Sequence, residues 1–337
     1  MWRFAVEDKD FLKLEVLNRL EYCMKTLLIA IFSLAGMTLI VEIGLRLFLG
    51  LGNPPLYVGD EEIGYLLAPN QEIRRRGNKI KINQYSMRSD QIGEKKPQGS
   101  IRIMLLGDSI VNGGWWTDQK DILSESIETE LAKNFKSDRI QVFNASANSW
   151  NPRNELAYVK RFGLFEADVL VLVINTDDLF GTAPTSVIVG KDFNYRNSKP
   201  PLALVELYER YFVKQKPIPE LEAIKKEGGD RVGFNLEAIE SLEAIAKKHN
   251  TRFILAFTPL LRELELGSRD YEQKARNRLQ GLVEQHDITY INFLPIFADF
   301  PQPEFLYRDR IHLSPQGEAI VSKTLVEAIK KQVVSRK

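Results

Sequence analysis

Residues 169–174 read VLVLVI, apolar at every position, and Asn175 closes the run. A strand with one face in water alternates apolar and polar side chains, so an unbroken run belongs in a sheet covered on both faces. Four more β-rich stretches share the chain, at 101–106 (IRIMLL), 140–145 (IQVFNA), 251–257 (TRFILAF) and 288–293 (ITYINF). Amphipathic stretches with helical spacing separate them, at 119–134, 154–165, 236–248, 271–286 and 315–333. That alternation predicts an α/β domain over residues 99–337, built on a parallel sheet of about five strands joined by crossover helices. Ser314 before Pro315 supplies an N-cap and a first-turn proline for the last helix.

Before this domain stands a different solvent problem. Residues 26–41 carry no charge and the apolar character resumes after Glu42, so 26–49 has the length and composition of a transmembrane helix. Glu42 and Arg46, four apart in the favourable order, are expected to pair near the far interface. Hydrophobicity continues beyond the small residues at 33–35, which argues for a retained anchor over a cleaved signal peptide. Arg3, Lys9, Lys13, Arg19 and Lys25 precede the span, whereas Arg46 is alone among basic residues in the next twenty. This bias predicts a single-pass cell-membrane protein with a cytoplasmic N-terminus and an extracytoplasmic domain. Leu12, Val16, Leu17, Leu20 and Met24 recur at helical spacing, so residues 1–25 form either an amphipathic helix along the membrane or an extension of the span. Cys23 beside the bilayer is a position for acylation, or an inert thiol.

Charge narrows the partners. Lys and Arg number 46 against 45 Asp and Glu, a net charge of +1, so there is no electrostatic basis for wrapping nucleic acid. Neither a Walker-type loop nor a dinucleotide fingerprint occurs, which excludes nucleotide use, and no cofactor is implied. One cysteine forms no intrachain disulfide and no thiolate cage, and Asp177 with Asp178 makes only a thin case for a metal, so none is expected. Residues 50–98 read as a loop-rich lead-in with one or two short strands, and its basic run (Arg74 to Arg76, Lys79, Lys81) reads as a solvated surface or a patch for anionic lipid or glycan. Residues 182–233 exceed what one crossover needs. An insertion there, with a short helix at 202–212, falls at the strand ends where open α/β sheets bind ligands, as a cap on the substrate or as surface decoration.

The first strand of the sheet runs straight into Gly107, Asp108 and Ser109. A serine hydroxyl needs a base to become a nucleophile, and the base needs an acid to orient it. Of three histidines, His249 and His286 end amphipathic helices, where a histidine sits at the C-terminal dipole. His312 instead precedes a helix and follows Asp309 by three residues in a loop. That spacing lets one loop present a carboxylate to one imidazole nitrogen while the other faces a separate nucleophile.

With LLGDSIVNGG around Ser109 and DRIHLSPQGEAI around Asp309 and His312, the chain resembles the SGNH/GDSL hydrolase superfamily over residues 101–331. The resemblance implies a flavodoxin-like three-layer α/β/α fold and ester hydrolysis or acyl transfer, with Ser109, Asp309 and His312 as nucleophile, acid and base. The stretch NQYSMRSDQ and the preceding anchor are similar to membrane-attached bacterial members. An α/β-hydrolase shares the order Ser, Asp, His, but no Gly-x-Ser-x-Gly elbow is present.

Two blocks depart from the pattern. NASANSW places Ser149 where the superfamily has a glycine whose backbone N–H faces the oxyanion, and INTDDL places Asn175 and Asp177 where it has glycine and the side-chain donor asparagine. An ionised carboxylate there repels the developing charge, whereas a preorganised donor is worth about 3–4 kcal/mol. Three outcomes are open: a protonated Asp177 that donates, a swap to Asn148 or Asn175, or a slow or inactive site; Asp177 and Asp178 can also simply cap a turn. Trp115 and Trp116 are positioned to stack on sugar or acyl chain, or to pack in the core. The function expected is a membrane-anchored serine esterase, O-acyltransferase or deacylase acting on acyl groups of envelope carbohydrate or lipid-like substrates, with Ser109 and Ser149 N–H groups at the oxyanion. The rival is a catalytically impaired binding or assembly component of an envelope polysaccharide system.

Overall fold

The computed structural model describes residues 4–137 and 139–334, so Arg3 lies outside the described residues. Helix α1 (Phe4–Gly44) runs unbroken through the apolar segment and closes on a π turn at Leu45–Leu49. The N-terminal stretch is therefore an extension of the apolar helix and not a separate element. It is long and apolar enough to cross a membrane, and only 6% of its most apolar window is buried inside the protein. Gly50, at φ 65°, ends it: a Cβ there would lie 1.9 Å from the Arg74 carbonyl oxygen. The expected pair forms, with Arg46 Nε donating to Glu42 Oε1 at 2.6 Å.

The lead-in is more ordered than its loop-like composition suggests. Strands β1 (Tyr57–Asp60) and β2 (Gly64–Leu67) pair antiparallel, as do β3 (Gln71–Arg75) and β4 (Asn78–Ile82). Four strands replace the one or two expected, each too short to show a clear apolar period. The basic run is not a uniformly solvated surface either. Arg75 is buried and forms an ion pair with Glu206 at 2.6 Å, Lys79 pairs with Glu72 and Lys81 with Asp90.

The chain then enters β5 (Ile101–Gly107), the single turn α2 (Ser109–Asn112), α3 (Leu123–Phe135), β6 (Ile140–Ser146), α4 (Pro152–Phe162) and β7 (Val169–Asn175). Next come α5 (Ala203–Phe212), α6 (Pro219–Lys225), α7 (Arg231–Lys248), β8 (Arg252–Thr258), α8 (Leu261–Leu266), α9 (Asp270–His286), β9 (Thr289–Asn292), α10 (Phe293–Ala298) and α11 (Pro315–Val334). The five long-range strands make one parallel sheet in the order β6-β5-β7-β8-β9. This is the doubly wound flavodoxin-like order, whose switch point lies between its first and third strands in sequence, here β5 and β7.

All seven residues of β7 are buried. Its even-numbered side chains, Leu170, Leu172 and Ile174, join Ile239, Leu242 and Tyr158 of α7 and α4 on one face. Val169, Val171 and Val173 join Ile127, Leu131, Leu325 and Ile329 of α3 and α11 on the other. The period-two geometry of a strand thus supplies both cores at once.

One polar residue in the first core stands out. Glu155 on α4 is fully buried, and neither carboxyl oxygen has a hydrogen-bond partner among the described residues. Burial, reinforced by the nearby Asp108, holds its carboxyl protonated far above the usual range. Because the folded state keeps this proton and the unfolded chain releases it, the group costs stability progressively as pH rises above the ordinary carboxylate range. Glu155→Met is expected to raise stability by about 1–3 kcal/mol at pH 4, where only the unpartnered neutral carboxyl is removed, and by more at pH 8, as read from denaturant unfolding at both values.

Candidate active site

Strand β5 ends where the chain must pass very close to its neighbour. A Cβ on Gly107 would lie 2.6 Å from the Val173 carbonyl oxygen and 2.5 Å from a Val111 methyl, so this position admits only hydrogen. Asp108 follows and caps the turn of α2 by accepting the Ile110 N–H at 2.8 Å. The turn leaves the hydroxyl of Ser109 at the C-terminal end of the sheet, lining a cleft of about 270 Å³.

The partner loop comes from the other end of the chain. A bridge between Tyr307 and Leu313 closes it, and the Arg308 N–H donates to the His312 carbonyl at 2.8 Å. Tyr307 ties it to the sheet by donating its hydroxyl to the Pro259 carbonyl at 2.6 Å. Within it, Asp309 Oδ1 accepts the backbone N–H groups of Ile311 and His312, both at 2.9 Å, which leaves Oδ2 for His312 Nδ1 at 2.8 Å. His312 Nε2 lies 3.0 Å from Ser109 Oγ across 203 residues of sequence. Burial pushes the Asp309 carboxyl up, but the two backbone N–H groups and the imidazole outweigh it and hold the group below its ordinary value. The geometry is that of a hydroxyl, a base and an orienting carboxylate in a chain.

The aromatic pair stands beside this chain. Trp116 meets the His312 ring edge-on at 4.7 Å between centroids, and Arg308 covers Trp116 at 5.1 Å. Trp115 carries Arg76 at 5.0 Å, and both indoles line the cleft while partly buried. The loop that holds them hangs on Arg88, whose fully buried guanidinium donates to the carbonyls of Asn112, Gly114 and Thr117. Burial pulls its pKa down to about 10. Sequence reasoning gave Arg88 no role, because nothing in a lead-in segment signals which loop it will brace.

On the opposite wall, Ser149 has φ 60°, the left-handed conformation that favours glycine, at the place where a glycine was expected. Tyr195 from the 182–233 stretch donates its hydroxyl to Ser149 Oγ at 2.9 Å, and Tyr65 donates to the Asn148 carbonyl at 2.7 Å. Asn148 lines the cleft, and its Oδ1 is buried with no partner among the described residues. Neither tyrosine carried any sequence signal.

Asn175 and Asp177, by contrast, do not line the cleft. Asn175 is buried; its Nδ2 donates to Asp108 Oδ2 at 3.0 Å and its Oδ1 accepts the Asp177 N–H at 2.8 Å, so both ends of the amide are committed within the protein. The expectation of a substrate contact there is corrected on that ground. Asp177 is exposed, in the field of Glu272, Arg262, Glu263 and Arg310; partial desolvation and Glu272 raise its pKa. The turn-capping alternative holds for Asp178, which accepts the Asn175 N–H at 2.7 Å.

Beneath the hydroxyl lies a buried carboxylate. Asp108 Oδ2 is 3.4 Å from Ser109 Oγ, and burial pushes its pKa from 3.8 up to about 6, against the pull of the Ile110 N–H and of His312. The folded state holds this proton between pH 4 and 6 while the unfolded chain has lost it, so stability falls as pH rises through that window. The loss amounts to on the order of 3 kcal/mol. Asp108→Asn is expected to flatten the stability profile between pH 4 and 6, with the largest gain over the parent above pH 6, as read from unfolding at stepped pH.

This arrangement matches a known group. The model of the GDSL-like lipase/acylhydrolase family matches residues 105–320, a span from β5 into α11 that contains Ser109, Asp309 and His312. No curated protein matches the chain. Among solved structures it is similar to the lipase/acylhydrolase from Enterococcus faecalis, at 17% identity over 69% of this chain and 96% of that one, with a TM-score of 0.44. It is also similar to the acetyl xylan esterase AlAXEase, at 14% identity over 68% and 100%, TM-score 0.47. A GDSL-like lipase from Bacteroides thetaiotaomicron VPI-5482 aligns at 13% identity over 70% and 91%, TM-score 0.42. With almost two thirds of its length matched by the family model, and with the family's parallel sheet, the chain belongs to the GDSL-like lipase/acylhydrolase family.

Proposed function

We propose that the protein is a membrane-anchored serine esterase or acyltransferase whose nucleophile is Ser109. His312 Nε2 takes the Ser109 proton as Oγ attacks the ester carbonyl; Asp309 holds Nδ1–H and stabilises the imidazolium. The backbone N–H groups of Ser109 and Ser149 receive the oxyanion, with the Asn148 amide as the side-chain donor in place of Asp177. Collapse of the tetrahedral intermediate expels the alcohol, which leaves with the proton from His312, and water or an acceptor hydroxyl then releases the acyl group. The single observation that carries this reading is the 3.0 Å contact between Ser109 Oγ and His312 Nε2, made between opposite ends of the domain.

The span in α1 is the anchor, and the excess of basic residues before it sets the domain on the outer side of the membrane. An indole-lined cleft at that location suits ester-linked acyl groups on envelope carbohydrate or lipid-like substrates. One observation favours the binding-component reading instead: neither Asn175 nor Asp177 presents a donor to the cleft.

A fluorophosphonate probe separates the two. The full-length protein is expected to be labelled at Ser109, with labelling abolished in Ser109→Ala and His312→Ala; an unlabelled parent at every pH sinks the enzyme reading. Asp309→Asn is expected to retain the fold and to lower kcat by about 10⁴-fold, because the imidazole loses the acceptor that fixes its tautomer. Asp177→Asn is expected to change kcat/KM by less than about threefold, since the carboxylate stands outside the cleft. A hundredfold gain in steady-state hydrolysis would show that position 177 faces the oxyanion after all, and a hundredfold loss that the carboxylate has a role of its own.

A further inference from the structure

Helix α5 is amphipathic with its faces reversed. Ala203, Glu206 and Arg210 face the protein, where Glu206 is fully buried between Arg75 at 2.6 Å and Arg210 at 2.8 Å. The apolar face points outward: Tyr208, Tyr211 and Phe212 are 60%, 61% and 75% exposed. A surface helix of a water-surrounded domain buries its apolar stripe, so this one is built for a second solvent.

Both ends of α5 are tied to the exit of α1. At its N-terminus, Glu42 accepts the Ala203 and Leu204 N–H groups at 2.8 and 3.0 Å, and Arg46 donates to the Pro201 carbonyl at 3.3 Å. Toward its C-terminus, the Tyr211 hydroxyl accepts from Arg76, whose own N–H donates to the Leu49 carbonyl at 3.1 Å. The helix therefore lies across the end of α1, level with residues 42–49, where Leu47 and Phe48 are 71% and 78% exposed. Exposed Arg76 donates to Tyr211, and the exposed Lys214 and Lys216 follow Phe212 closely in the chain. Aromatic side chains with basic neighbours at the end of a span are the composition of a membrane–water interface.

We infer that α5 is a second membrane contact, seated through Tyr208, Tyr211 and Phe212 in the headgroup zone of a bilayer bearing anionic lipid. This rests on the reading of α1 as a membrane span. Because Arg75 and Arg210, the two cationic partners of Glu206, also line the cleft of Ser109, the contact holds that cleft at the lipid surface, where a substrate carried in the bilayer reaches it directly.

The test uses the full chain with Cys23→Ser, reconstituted in phosphatidylcholine vesicles containing phosphatidylglycerol, with a nitroxide placed singly at Phe212→Cys, Tyr208→Cys, Ile29→Cys or Glu284→Cys. Collisions with oxygen, which partitions into the bilayer, are compared with collisions with a water-soluble nickel chelate. The oxygen-to-nickel ratio at 208 and 212 is expected to exceed that at 284 by about fivefold and to approach that at 29. Ratios at 208 and 212 equal to that at 284, with 29 still shielded, overturn the second contact and leave the anchor standing. A water-exposed label at 29 overturns the anchor and this inference with it.

Discussion

The pairing of β5 between β6 and β7 is the constraint on which the site depends. In that register Gly107 faces Ser146 on one side and Val173 on the other, so three strands end together at the carboxyl edge of the sheet. Parallel strands whose crossovers run behind the sheet deliver every loop of this edge to the same side. The Ser109 turn, the Asn148–Ser149 turn and the Asn175 turn are consequently neighbours, though they lie between 26 and 66 residues apart along the chain. Hydrogen at Gly107 is what lets the backbone turn there without pushing β7 away.

Around this edge the protein has placed carboxyl groups with opposite electrostatic fates. Asp309 sits in a loop with two backbone N–H groups and an imidazole, which keep it ionised and able to orient His312. Asp108, Glu155 and Asp178 are buried, and desolvation raises each of them; the Asp108 charge raises Glu155 and Asp178 further. None of the three has a hydrogen bond to a cationic side chain among the described residues. Buried acids of this kind cost stability at neutral pH, which is a common property of sites whose geometry serves chemistry more than folding.

The lead-in and the insertion do for the cleft what the sheet alone does not. Arg88 reaches across to brace the indole loop, Arg75 joins β3 to α5 through Glu206, and Tyr65 and Tyr195 pin the Asn148–Ser149 turn. Glu206 also accepts the Gly52 N–H at 2.7 Å, so the chain leaving α1, the second hairpin and α5 meet on one carboxylate. The cleft wall and the apolar helix are thus joined through buried contacts, and the lead-in also gives Ile63, Leu67, Ile80, Ile82 and Met87 to the core that covers one face of the sheet.

Five strands and their helices were legible in the sequence because their periods are set by local backbone geometry, and β7 and α11 ended within a residue or two of where their patterns ended. The long apolar helix and the Glu42–Arg46 pair were legible for the same reason, since a helix brings residues four apart together without help. The Asp309–His312 contact is equally local. What only tertiary structure decided is everything that spans the chain: that His312 reaches Ser109, that Asn175 turns to Asp108 and leaves the cleft, that Arg75 from a seemingly solvated basic run is buried on Glu206, and that two tyrosines hold the Asn148–Ser149 turn. Those contacts depend on sheet order and on the paths of irregular segments, and no short-range periodicity encodes either.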